Sequence, residues 1–311
     1  MYSYNIIKNI DCQDIFFDYE FDILQKIADK IEVRNSLSKY YKKAILSSAN
    51  GRTEEDNEVI YQRFCDCGKE LSIIDNKIKL ANFCKNRLCP VCNFIKSNKQ
   101  WGKIYNHINT ENKHILITLT VRNCKGADLS ATIDDMLFAF HKFTNRKKWK
   151  RVILGYIRGL EITYNNNTDT FHPHIHILCA VASDYFSNCD KYINAEDITE
   201  WWKTSCKLDY RPDTDIRVVD DEKKGVAEVA KYAVKMADIL EGNSVSSQKI
   251  KSIKTLYKAV FHRRLISSAG IFRSLSNIDN ILDEEEYCQK LRECKHFKWD
   301  NNLNRFTILK M

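Results

Sequence analysis

The chain predicts an α+β fold, helices flanking an antiparallel sheet, on three observations. First, Val152 to Tyr164 and Phe171 to Val181 are two strand-like runs joined by the turn-forming Asn165-Asn166-Asn167-Thr168-Asp169, the signature of a hairpin. Second, in His114 to Asn123 the residues Ile115, Ile117, Leu119 and Val121 alternate with Leu116, Thr118, Thr120 and Arg122. Third, the intervening stretches carry helical spacing: Asp128 to Trp149, with Met136, Leu137, Phe140 and Phe143; Ala195 to Lys207; and Glu222 to Ala237, with Val226, Val229, Ala230 and Ala233. A short strand is expected at Ile216-Arg217-Val218-Val219.

The second strand of the hairpin reads Phe171-His172-Pro173-His174-Ile175-His176-Ile177-Leu178. Successive side chains of a strand point to opposite faces, so the three imidazoles share one face and the aliphatic residues the other. Imidazoles two apart lie about 6–7 Å apart at Cα, close enough to converge on one divalent ion. Pro173 gives no N–H to a ladder and is expected at the strand's start or at an edge. His174 and His176 form the principal pair and His172 is a third candidate. Glu161 sits between Leu160 and Ile162 on the partner strand. It reads either as an edge glutamate facing water or as a buried carboxylate that needs a partner, which an ion on His174 and His176 would supply. Two histidines and a carboxylate suit Mg²⁺ or Mn²⁺ as well as Zn²⁺.

The 311 residues suffice for one large domain or two modest ones, and 49 Lys and Arg against 41 Asp and Glu make a mild basic excess. The sequence lacks an apolar run of membrane-spanning length and a signal-peptide pattern, so a cytoplasmic protein without membrane contact is expected. Twelve cysteines are then read as metal ligands rather than disulfides. Five of them, Cys65, Cys67, Cys84, Cys89 and Cys92, fall within 28 positions. The Cys89-x-x-Cys92 spacing, completed by Cys84 and Cys67 with Cys65 as an alternative, suits a structural Zn²⁺ site, its halves joined by a hairpin over Leu71 to Leu80.

Four segments follow. Residues 1–60 form a helical accessory segment, with Phe21, Leu24, Ile27, Ala28 and Ile31 along one helix face; 61–98 are the Cys-rich zinc segment; 99–240 are catalytic; 241–311 are a basic helical C-terminal region, polar beyond Asp279. Lys96 and Lys99 open a basic helix, and Arg263 and Arg264 lie in a basic, aromatic-rich stretch suited to DNA or to the domain body. Arg122 joins Thr118 and Thr120 on a polar strand face. On the Glu222 to Ala237 helix, Glu228 and Tyr232 are four residues apart, as are Lys231 and Lys235. Such a carboxylate, phenol and ammonium can bind and attack a phosphate, or can be a salt-bridged helix with a packed tyrosine.

A two-histidine strand followed by Tyr-x-x-Lys resembles the HUH endonucleases, and more closely the rolling-circle plasmid replication initiator (Rep) family. Ile117-Thr118-Leu119-Thr120-Val121, His172 to Leu178 and Glu228 to Lys235 occur in that family's order. Phe83 to Cys92 and Arg263-Arg264-Leu265-Ile266 with Gly270 are similar too, so the resemblance spans roughly 61–275. It implies an HUH-like central sheet with the histidine strand in its middle and the tyrosine on a flanking helix. It implies a metal-dependent nicking–closing endonuclease: a divalent ion on His174 and His176, Tyr232 as the single nucleophile forming a 5′-phosphotyrosine, Lys235 neutralising phosphate charge, Lys231 contacting DNA, and Glu228 activating the water that ends the cycle. The partners implied are plasmid origin DNA, as a single strand or hairpin, and a host helicase and polymerase. A relaxase or transposase shares this chemistry, and a zinc-bearing DNA-binding regulator would keep the cysteines and basic helices without needing Tyr232.

Overall fold

The computed structural model describes residues 20–46, 53–74, 77–108, 111–231, 234–241, 245–278 and 294–309. In chain order these form α1 (Glu20–Leu46), α2 (Glu54–Asp66), β1 (Glu70–Ile74), β2 (Lys77–Ala81), α3 (Pro90–Tyr105), β3 (Lys113–Thr120), α4 (Leu129–Thr144), α5 (Lys147–Val152), β4 (Ile153–Asn165), β5 (Thr170–Val181), α6 (Ala195–Cys206), β6 (Thr214–Val218), α7 (Glu222–Val229), α8 (Ser246–Val260), β7 (Ile266–Gly270), β8 (Lys295–Asp300) and β9 (Arg305–Ile308). The fold is α+β, with two antiparallel sheets flanked by helices.

The larger sheet has the order β6-β3-β5-β4-β7, with the histidine strand β5 in the middle. The β4–β5 turn is built from its asparagines: Asn165 Oδ1 accepts from the amides of Asn167 (3.0 Å) and Thr168 (3.2 Å). The register pairs Thr118 with His176 across β3–β5, and Gly159 with His176 and Glu161 with His174 across β4–β5. Pro173 lies just beyond the last β3–β5 rung, Thr120 with His174, and before the isolated bridge from Cys124 to Phe171, so no β3 ladder bond is lost to it.

Alternation sends Ile115, Ile117, Leu119, Ile175, Ile177 and Cys179 into one core, shared with α4, α6 and α8. Leu116, Ile157, Leu178 and Ala180 enter a smaller core on the other face, under Val226, Val229 and Ala230 of α7 and Ile104 of α3. The histidines share this second face, at its far end. Gly159 admits α7 to the sheet, since a Cβ there would sit 2.6 Å from the Val229 carbonyl oxygen.

Three expectations are corrected here. The helix expected over Glu222 to Ala237 stops at Val229. Val226, Val229 and Ala230 bury in the second core whereas Val234, Met236 and Ile239 bury in the first, and one straight helix cannot serve both faces of a sheet. The chain passes the edge of β4 beyond the end of β7, where Val234 bridges Ile162 in parallel. The basic stretch of 249–275 is α-helical only to Val260, then supplies β7, the edge strand beside β4, and a short 3-10 turn over Arg273–Leu275. The polar C-terminal region, read as helical, ends in β8 and β9, which pair with each other and with β1 to give a second sheet of order β2-β1-β8-β9. The expected hairpin over Leu71 to Leu80 is its first half. The acidic stretch Asp283 to Glu286 lies outside the described residues, as does the whole segment before α1, residues 1–19. Among the described residues no helix is long and apolar enough to cross a membrane.

Candidate active site and metal centres

The register brings Glu161, His174 and His176 together, their nearest ligand atoms within 4.8 Å of one another. His174 Nε2 and His176 Nε2 each lie 3.1 Å from Glu161 Oε2. Glu161 and His176 are buried, at 4% and 8% exposure, so the edge-glutamate reading of Glu161 gives way to that of a buried carboxylate with partners. Burial opposes ionisation, yet the two imidazoles hold the Glu161 carboxyl well below the usual carboxylate range. On its other oxygen, Lys235 Nζ approaches Oε1 to 3.7 Å. The Val234–Ile162 bridge sets Lys235 there, off any shared helix with Glu228.

Both imidazoles are oriented from behind. His174 Nδ1 donates to the His172 carbonyl (3.2 Å), which orients the ring with Nε2 toward Glu161. His176 Nδ1 is 3.2 Å from Thr118 Oγ1 on the neighbouring strand. Two Nε2 atoms directed at one carboxylate oxygen make a donor set that fits a divalent ion with open positions for water or substrate. His172 is not part of this trio. Its ring centroid lies 5.4 Å from that of His174, and burial lowers its pKa, keeping it neutral, though Asp213 and a backbone bond with Val121 act against this.

The phosphate-handling segment is divided. Glu228 lies at the end of α7, where Lys231 Nζ donates to its Oε2 at 2.6 Å. Tyr232, expected as nucleophile on this helix, lies outside the described residues. Asp238, three residues past Lys235, was missed in the sequence. Burial, reinforced by Glu241 and Glu161 and offset by Lys235, raises its carboxyl to about 6.

The expected DNA contacts are dispersed. Arg122 is exposed just past β3, and Lys96 and Lys99 are half-buried on α3. Arg264 is exposed, and its carbonyl accepts from Arg158. Arg263 is engaged by the fold: Nη2 pairs with Asp134 Oδ2 at 2.6 Å and Nη1 donates to the Ala259 carbonyl at 2.6 Å.

A second centre gathers Cys67, Cys84, Cys89 and Cys92, with Sγ atoms within 4.8 Å of one another; Cys65 is not among them. Cys67 and Cys92 are 3.4 Å apart at sulfur and Cys84 and Cys92 3.6 Å. A tetrahedron of about 2.3 Å Zn–S bonds has edges of about 3.8 Å, so the four thiols fit one tetrahedral ion with little movement. Burial raises the Cys89 thiol, but bonds from its three sulfur neighbours reverse this and hold it well below the usual thiol range, while the same contacts and burial push Cys84 and Cys92 up. Arg34 of α1, fully buried, donates to the Cys67 carbonyl, and Pro90 starts α3 immediately after Cys89. The centre thus joins α1 to α3.

Two histidines and a carboxylate, Glu161 and His176 buried and His174 half-buried, converge on the middle strands of an antiparallel sheet with a lysine at the carboxylate, a group that could hold a metal ion. The chain matches the Rep_1 replication-protein family over residues 75–304. It is 34% identical to the protein rep of Streptococcus pneumoniae serotype 2 over 245 residues, covering 72% of this chain and 75% of the relative. A Bacillus protein rep is 37% identical over 237 residues, 68% and 76% of the two chains. The protein rep of Lentilactobacillus hilgardii is 30% identical over 275 residues, 79% and 87%. No solved structure matches the chain. The chain belongs to this family of replication proteins, the Rep family of rolling-circle plasmid initiators that its motifs resemble.

Proposed function

We propose that this protein initiates rolling-circle plasmid replication by nicking one strand of the origin through Tyr232. The observation that carries the reading is the trio of Glu161, His174 and His176 with Lys235 at its edge, in a replication-protein chain. Glu161, His174 and His176 would hold a Mg²⁺ or Mn²⁺ ion, which would supply Lewis-acid chemistry at the scissile phosphate. The Tyr232 oxygen bonds to phosphorus as the bond to the 3′ oxygen breaks; the phenol gives up its proton and the departing oxygen takes one up. The 5′ phosphate is then esterified to Tyr232, and the free 3′ hydroxyl is available to a host polymerase behind a host helicase. Lys235 adds positive charge beside the phosphate.

Rejoining is the reverse attack by a 3′ hydroxyl. Termination uses Glu228, which takes a proton from a water whose oxygen attacks the phosphotyrosine and releases Tyr232. Lys231 occupies Glu228 in the free protein at 2.6 Å. A DNA phosphate that draws Lys231 away therefore frees the base only when strand is present. Arg122, Lys96, Lys99 and Arg264 are the proposed DNA contacts, and the four thiolates hold a structural Zn²⁺.

The test is incubation of labelled single-stranded origin oligonucleotides with Mn²⁺ and protein, followed by a denaturing gel. Wild type should give a shifted covalent band that Tyr232→Phe lacks. A band surviving in the variant moves the nucleophile to another residue. Binding with no band on any substrate overturns the nuclease reading in favour of a DNA-binding regulator.

A further inference from the structure

Past the end of β3 the chain makes an arrangement that the trio does not use. The guanidinium carbon of Arg122 lies 3.9 Å from the centroid of the Tyr210 ring, and the Arg122 amide donates to Tyr210 Oη at 2.9 Å. One tyrosine therefore holds both the backbone and the side chain of the arginine. The loop that carries Tyr210 is itself tied down. Thr120 Oγ1 donates to the Asp213 carbonyl at 2.7 Å, Arg211 makes two 2.6 Å bonds to Glu196 of α6, and Trp202 of α6 donates to the Thr120 carbonyl at 2.8 Å.

Arg122 stands two residues beyond the rung that pairs Thr120 with His174, which places its Cα about 7 Å further along the strand. Its guanidinium makes no ion pair among the described residues, and the side chain is exposed. A guanidinium whose carbon sits 3.9 Å over an aromatic ring has one side covered and keeps its opposite side and outer N–H groups for a ligand. An arginine needed only for solubility would gain nothing from being fixed twice by the same tyrosine. Unpaired nucleic-acid strands are bound by stacking their bases on aromatic rings and guanidinium planes.

We infer that Tyr210 and Arg122 form a stacking platform for one unpaired base next to the scissile phosphate, with Tyr210 as the positioning residue. The inference rests on the reading that the trio acts on a single strand. Base, guanidinium and phenol ring then make three layers, and the N–H edge of Arg122 reaches the adjoining phosphate. The platform sets where along the strand the phosphate meets the metal trio, so it contributes to the choice of nick position.

The experiment is an abasic-site scan. Overlapping single-stranded oligonucleotides from the replicon that encodes the chain are tested by fluorescence anisotropy, and the tightest binder is remade with one abasic site at each position in turn. Wild type should show one position where the abasic site weakens binding about tenfold, the order expected of one lost stacked base. In Tyr210→Leu and Arg122→Ala that penalty should vanish while penalties elsewhere persist. In Tyr210→Phe, which keeps the ring, it should remain. Thermal unfolding of each variant checks that the fold is intact. A scan with no sensitive position, or a penalty unchanged in Tyr210→Leu, overturns the platform. The scan reads binding alone, so it is separable from the nicking reading. Wild type that forms no covalent adduct but keeps the Tyr210-dependent position supports the platform while the nuclease reading fails. An adduct together with a Tyr210-independent scan does the reverse.

Discussion

At the residue scale, the trio is a buried carboxylate made tolerable by two imidazoles, and the imidazoles are made useful by what lies behind them. Thr118 was visible in the sequence only as part of a polar strand face; the β3–β5 register puts its hydroxyl 3.2 Å from His176 Nδ1. Thr118→Val should lower Mn²⁺ affinity about tenfold, as loss of a bond behind a ligating histidine does, with the fold retained. Titration calorimetry against wild type reads this directly. Asp238 permits a pH test. Its carboxyl, raised to about 6 in the folded chain, lies near 3.9 unfolded. The folded state therefore holds the extra proton between these values. The group's favourable contribution is full below about pH 4 and is lost as pH rises through about 6. Asp238→Asn should raise the melting temperature at pH 8, and the gain should disappear below pH 4.

At the scale of elements, the strands were legible because alternation and turn chemistry are local. The asparagine-rich turn, the alternation in β3 and the alternate histidines of β5 needed no distant partner to be read. The end of α7 was not legible. Val226, Val229, Val234 and Met236 keep a helix-compatible spacing, but two cores on opposite faces compete for them and the helix breaks between the pairs. Gly159 expresses the same close packing from the sheet side. Gly159→Ala would press a methyl group against the Val229 carbonyl, a backbone atom that cannot rotate away. The cost should be about 1–3 kcal/mol, read as a lower urea midpoint with an unchanged slope. The strands β8 and β9 had a readable signal that composition concealed. In Lys295-His296-Phe297-Lys298-Trp299, Phe297 and Trp299 are buried and alternate with polar residues.

At the scale of the whole molecule, the second sheet joins residues 70–81 to residues 295–308, so the C-terminal strands close on the hairpin that flanks the cysteine centre. That centre also meets α1 through Arg34, which binds the segment before residue 60 to the body. Removing a structural metal from such a junction should be felt beyond the four thiols. Chelation, or Cys92→Ser, should lower the melting temperature by upwards of about 5 °C and expose the hairpin between Cys67 and Cys84 to protease. Zinc added back should reverse the effect of the chelator but not that of the substitution. A chelated protein with unchanged melting and proteolysis would show that the cysteines hold no metal that matters to the fold.

By itself the sequence determined the fold class, the hairpin that carries the histidines, the candidate residues from which both clusters are drawn, and the family. All of these rest on short-range spacing: period two in strands, pairs of cysteines, and histidines at alternate positions. Only the tertiary structure decided that Glu161 rather than His172 completes the trio, that Cys65 stands apart from the other cysteines, and that Arg263 is engaged by Asp134. It alone set Tyr210 under Arg122. Each of these depends on strand register or on packing between segments far apart in the chain, and local spacing carries no information about which distant group will be the neighbour.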